Sequence, residues 1–159
     1  MTGPDVTDLH RANSYGVGLY ATLGDGENAW IRFDLGAVCT LDEMWLWNYN
    51  CPDDNYRVLW WNGGTACGMR DVTVEYSADG EAWEELRTDG YPFRLAKAFG
   101  KQWMPATNLD GAHRPIRFDG IKARYVKLTA NPVVGIGNWG GKNFGLSQVR
   151  FTQLFGEEV

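Results

Sequence analysis

Apolar and polar residues alternate with a period of two through most of the patterned segments of this chain. In AWIRFDLG (29–36), Ile31, Phe33 and Leu35 alternate with Arg32 and Asp34, which predicts a strand with one buried face that ends at Gly36. In LDEMWLWN (41–48), Met44 and Leu46 share one face while Glu43, Trp45 and Trp47 share the other, so this strand is expected to be covered on both sides and central in its sheet. MRDVTVEYS (69–77) places Val72, Val74 and Tyr76 together and runs into the turn sequence Ala78-Asp79-Gly80. Further short runs are PIRFDG (115–120), RYVKLTAN (124–131) and LSQVRFTQL (146–154). No window of eleven or more residues carries a helical stripe, so the pattern predicts an all-β domain, a sandwich or jelly roll.

Three segments lack the alternation: 1–28, 49–68 and 87–114. Long irregular connections in a compact domain are usually functional or disordered. The middle one contains Tyr49, Tyr56, Trp60 and Trp61, too aromatic for simple disorder. A chain of 159 residues fits one core. Eight Trp and twenty Gly are unusual and direct attention to aromatic surfaces and tight turns. The net charge of −5 argues against a nucleic acid or an anionic membrane as partner. No apolar stretch is long enough to span a membrane, and MTGPDVTD has no secretion-signal pattern. Cys39, Cys51 and Cys67 are spaced unlike a zinc site. A Cys51–Cys67 disulfide would close a loop of about fifteen residues, worth about 3 kcal/mol by chain-entropy reasoning; the alternative is three free thiols.

The order AWIRFDLG, LDEMWLWNYN, VTVEYSADGEAWEEL, ARYVKLTAN resembles the discoidin, or factor V/VIII type C, domain family, and within it the family 32 carbohydrate-binding modules of bacterial glycan-degrading enzymes. The pattern S-x-D-G-x-x-W, here Ser77, Asp79, Gly80 and Trp83, is its most specific element, and NWGGKNFGLSQVRF (138–151) is similar to the end of a bacterial subgroup. The resemblance covers 29–155, with 1–28 an N-terminal segment holding at most a truncated first strand and 156–159 a tail. It implies a discoidin-like jelly-roll β-sandwich of two antiparallel sheets, with eight strands and a ligand site on loops at one end. It also implies a non-catalytic module of a larger, secreted, extracellular or cell-surface enzyme, directed to galactose-type or related glycans. Relatives bind a structural calcium through an Asp-rich turn near the start, for which Asp5 and Asp8 are the candidates here. Gln148 stands where many relatives carry Glu, which weakens such a site because calcium favours charged oxygen ligands.

A sugar offers C–H faces that stack on aromatic rings and hydroxyls that need directional hydrogen bonds. That mixture lies in 50–70 and again in 138–144. Relatives grip ring hydroxyls with an Arg and an Asn of the first loop, but Asn50 and Cys67 fall about where those residues sit. The site is therefore expected to use Asn50, Tyr56, Arg57, Trp60, Trp61, Asn62 and Arg70 instead, facing a second wall of Asn138, Trp139, Asn143 and Phe144. Trp47, Asn48 and Tyr49 enter the loop and are candidates for its floor. Two roles are open to Trp60 and Trp61. On an extended backbone they point to opposite sides, so one is an exposed stacking platform, or the pair plugs the loop onto the sandwich. Trp139 is likewise either an aromatic wall or a packing residue beneath its turn.

Catalysis needs a poised acid, base, nucleophile or metal, and no such set is evident: Glu84-Glu85 and Asp53-Asp54 are sequence neighbours only, and the G-x-G strings at Gly24 and Gly135 lack a strand-then-helix context. The competing class is a protein-binding, adhesion-type discoidin domain, which would expose an apolar patch without convergent polar groups.

Overall fold

Among the described residues, nine strands form, where the alternation is strongest and at several places where it is absent. The structure is a computed structural model that describes residues 10–11, 20–22, 29–50, 64–100, 103–104, 106–110 and 114–155. The strands are β1 (His10–Arg11), β2 (Tyr20–Thr22), β3 (Trp30–Asn48), β4 (Asp71–Ser77), β5 (Glu84–Glu85), β6 (Phe93–Arg94), β7 (Trp103–Met104), β8 (Ile116–Ala130) and β9 (Phe144–Gln153), with a 3-10 turn at Gly64–Cys67. β1 pairs with β7. The other seven make one antiparallel sheet in the order β2-β9-β3-β8-β4-β5, with β6 pairing the same strand, β4, as β5.

The two layers of the sandwich are joined through β3 and β8. The first part of β3 (30–34) pairs with 125–129 of β8, whose other edge carries β4; the last part (41–48) pairs with β9. Register shifts between Asp34 and Cys39 and between Leu41 and Glu43 interrupt the ladder, and such bulges bend a strand so that one sheet can fold over its own core. Val72, Val74, Val126 and Leu128 from one layer and Leu41, Met44, Leu46, Phe118, Phe144 and Leu146 from the other meet in a single cluster. β3 is central as expected, with Met44, Leu46 and Trp47 all buried.

The segments read as irregular differ from expectation. Residues 1–28 contribute β1 and β2, and 87–114 contributes β6, β7 and a Leu95–Leu109 bridge. Strands of two or three residues are too short to display a period. Segment 96–109 is also tied to the end of β3, where Thr107 N–H reaches Leu46 O at 2.8 Å and Asn48 N–H donates to Thr107 Oγ1 at 2.9 Å.

The S-x-D-G-x-x-W stretch is a self-contained turn. Asp79 Oδ1 accepts from Ser77 Oγ and from the Glu81 and Ala82 amides at 3.0, 2.8 and 2.9 Å, while Trp83 Nε1 donates to Gly80 O at 3.1 Å. The Glu81 amide, then those of Ala82 and the Ser77 hydroxyl, hold the Asp79 carboxyl below its usual range. Asp34 is held lower, at about 2 against an ordinary 3.8, first by the Arg124 hydrogen bond and then by the Gly36 amide. A carboxyl with a depressed folded-state pKa contributes stability above its unfolded value and loses it as pH falls through the folded one. The melting temperature should therefore decline between about pH 3.8 and 2. Asp34→Asn and Asp79→Asn should each flatten that decline, as read by thermal unfolding across the acid range.

Candidate functional site

The end of the sandwich where β4 begins and β8 ends gathers the two segments that sequence reasoning paired. Gly64–Cys67 leads into Gly68-Met69-Arg70, and this stretch is stitched to 135–145: Met69 N–H donates to Gly145 O, Arg70 N–H to Gly137 O, Trp139 N–H to Gly68 O and Gly141 N–H to Ala66 O, at 2.8–3.3 Å. Close approach makes this possible. A Cβ on Gly141 would stand 2.5 Å from Cys67 N and 2.6 Å from its Sγ, so only glycine lets the two backbones touch here.

Asn138 organises the turn that carries Trp139. Its Oδ1 accepts from the Gly135 and Gly140 amides at 2.8 and 3.0 Å, and its Nδ2 donates to the Gly141 and Asn143 carbonyls at 2.9 and 2.8 Å. Four bonds exhaust a side-chain amide's two donors and two main acceptor directions. Asn138 is 0% exposed. The expectation that it touches ligand is corrected: it shapes the turn. Phe144, also 0% exposed, is a core residue and not an aromatic wall. Asn50 is buried at 1%, with its N–H on Ser147 Oγ at 3.2 Å and its Oδ1 accepting from Gly100 N–H at 3.1 Å, so it too is scaffold. Asn143 is buried as well.

Arg70 and Trp139 are left at the surface, half-buried and together. The Arg70 guanidinium carbon lies 5.1 Å from the Trp139 ring centroid, a cation–π distance. Its Nη1 donates to Gly135 O at 2.9 Å, and its Nε lies 3.5 Å from Asp71 Oδ1. The indole Nε1 has no hydrogen-bond partner among the described residues. Gly140, next to the ring in sequence, is exposed. The result is a fixed aromatic surface backed by a charge with its donors partly committed.

Below it, the candidate floor residues Trp47, Asn48 and Tyr49 are all buried. Asn48 Nδ2 donates to Met69 O and Ala96 O at 2.7 and 2.8 Å, tying three segments to the strand exit. Ser147, which sequence reasoning missed, completes this anchor by donating from Oγ to Asn48 O at 2.9 Å. A serine inside an alternating strand carries no signal that could have singled it out. Tyr56, Arg57, Trp60, Trp61 and Asn62 lie outside the described residues, as do Asp5, Asp8 and the Cys51 half of the Cys51–Cys67 pairing. Among the described residues, no group of three or more His, Cys, Asp or Glu is arranged to hold a metal ion.

The F5/8 type C domain family model matches residues 11–143. The chain belongs to the F5/8 type C domain family. The match starts before the alternating strands and takes in β2 as well as the Asn138 turn. No curated protein matches this F5/8 type C domain. Solved structures similar to it include a Streptococcus pneumoniae fucose binding module, at 15% identity and TM-score 0.46, covering 86% of this chain and 70% of that one. Another is CBM32-1 from a family 31 glycoside hydrolase of Clostridium perfringens, at 13% identity and TM-score 0.48, covering 94% and 84%. A family 89 glycoside hydrolase from Clostridium perfringens matches at 13% identity and TM-score 0.49 over 95% of this domain, which spans 15% of that chain.

Proposed function

We propose that this F5/8 type C domain is a non-catalytic glycan-binding module, and that the Arg70-backed Trp139 surface is the described part of its site. The observation that carries the reading is that buried scaffold residues, Asn138 above all, hold one partly exposed indole and one guanidinium in contact at the loop end. An aromatic face for the C–H side of a pyranose beside polar groups for its hydroxyls is the minimum a sugar site requires. Tyr56, Arg57, Trp60, Trp61 and Asn62 are proposed as the facing wall. Galactose-type specificity, calcium at Asp5 and Asp8, and a place in a larger secreted glycan-active enzyme belong to the same proposal.

A glycan array with the wild-type domain, repeated with a calcium chelator, identifies the sugar and the metal dependence. Trp139→Ala should then weaken the retained glycan by about 10- to 100-fold, corresponding to about 1.4–2.8 kcal/mol of lost stacking and burial. The melting temperature should shift little, because the ring is half-buried. Unaltered affinity in Trp139→Ala would place the site elsewhere.

A second reading, protein docking, is favoured by Val133, Val134 and Ile136, which are exposed in the turn leading to Asn138. Replacing all three with serine leaves glycan retention intact under the first reading and removes partner binding under the second.

A further inference from the structure

We infer that a second cleft, beside the loop-end surface and joined to it through the Arg70–Asp71 ion pair, binds an uncharged pyranose through Asp71, Arg94, Asp110 and Asn131. The cleft encloses about 630 Å³ between the start of β4, strand β6, the Asp110 turn and the end of β8. That is the size of a small-molecule site. Phe93 is a buried core residue beneath it, and the apolar surface that faces the cleft comes from the exposed Pro92 and Pro132.

The polar groups around the cleft have unused hydrogen-bonding capacity. Arg94 Nε donates to Asp71 Oδ1 at 2.9 Å, which fixes the guanidinium while its two Nη groups have no partner among the described residues. Asp71 uses Oδ1 for both Arg94 and Arg70, leaving Oδ2 available. The Asp110 carboxylate has no side-chain partner among the described residues. Asn131 Oδ1 accepts from Val133 N–H at 3.0 Å, so its two amide donors remain. Arg94, Asp110 and Asn131 are exposed, so a ligand can reach their free donors and acceptors.

Charge decides the class of ligand. Asp71 and Asp110 outnumber Arg94 at the cleft, which disfavours an anion. Asp71 is engaged by two guanidinium groups, which disfavours a divalent cation. What fits is a neutral group that gives protons to Asp110 and Asp71 Oδ2 and takes them from Arg94 and Asn131. Adjacent ring hydroxyls do both. Pro92 and Pro132, exposed on the walls of the cleft, offer apolar surface to the C–H face of the ring.

The test is amide chemical-shift mapping on the ¹⁵N-labelled domain with galactose, glucose, N-acetylglucosamine and mannose at millimolar concentration, and galacturonate as the charged comparison. At least one neutral sugar should shift the amides of 71–73, 93–94 and 129–131. Asp110→Ala should weaken that response about tenfold or more without altering the fold, because its side chain holds nothing in place. Arg94→Ala should weaken it as well, and Trp139→Ala should leave it unchanged. The inference is overturned if none of the four neutral sugars moves these amides, if galacturonate binds there more tightly than galactose, or if Trp139→Ala removes the cleft response. Binding at the cleft with none at Trp139 would instead remove the loop-end reading and leave this one standing.

Discussion

Gly137→Ala should lower the melting temperature by about 10 °C or more, the largest loss expected from adding a single methyl group to this domain. A Cβ there would lie 1.7 Å from the Asn131 carbonyl oxygen, 2.6 Å from its carbon and 2.8 Å from its nitrogen. These are backbone atoms, so no rotamer change relieves the clash. The backbone is fixed on every side: Asn131 N–H donates to Asp71 O at 2.9 Å, Gly137 N–H to Val133 O at 2.9 Å, and Gly137 O accepts from Arg70 N–H at 2.8 Å. Opening the turn by the required ångström breaks at least one of these bonds and exposes buried polar groups. Overpacking and lost hydrogen bonds together should cost about 3–5 kcal/mol. For a domain of this size each kcal/mol corresponds to about 2–4 °C. Thermal unfolding measures the loss. Amide shift changes concentrated at 131–139 and 70–71 would show that strain starts at this contact. A melting temperature within a degree of wild type would mean that the turn accommodates a side chain and is looser than its hydrogen bonds require.

The parts of the fold legible in the sequence are those whose cause is local. Alternation in 29–35, 41–48 and 69–77 exposed β3 and β4 because a strand buries every second residue wherever its partners come from. The Ser77–Trp83 turn was legible because all its hydrogen bonds close within that stretch. Roles at the loop end were not, because they depend on partners distant in sequence. Asn48 bonds to Met69 and Ala96, separations of 21 and 48 residues, and nothing near Asn48 marks it as an anchor. Asn138, Asn143 and Phe144 stood beside Trp139 in a glycine-rich connection, where polar and aromatic residues serve equally well as ligand contacts or as scaffold. Burial separated them, leaving Trp139 and Arg70 at the surface. The second cleft was invisible for the same reason: Asp71, Arg94, Asp110 and Asn131 come from four separated segments, two of them in a region without alternation.

Asn138→Ala should cost about 3 kcal/mol or more and abolish glycan binding together with the native melting transition. The substitution removes all four hydrogen bonds at once and strands the carbonyls of the buried Gly141 and Asn143 and the amide of the half-buried Gly135, while the exposed Gly140 amide turns to water. Each stranded group costs about 1–3 kcal/mol unless water enters, and the turn can open enough to admit water only by releasing Trp139 from Arg70. Asn138→Asp sharpens the test, because an aspartate keeps the acceptor for Gly135 and Gly140 but loses the donors to Gly141 and Asn143. Its carboxylate would face those two carbonyl oxygens in a site with 0% exposure, so its pKa should rise above the unfolded value. A raised carboxyl pKa destabilises the fold above it and does so less as pH falls toward the unfolded value. Asn138→Asp should therefore lose less stability at mildly acidic pH than at neutral pH, whereas the deficit of Asn138→Ala should not change with pH over that range. Differential scanning calorimetry at both pH values, beside glycan retention, distinguishes scaffold from contact: Trp139→Ala loses binding with its transition intact, and Asn138→Ala loses both together.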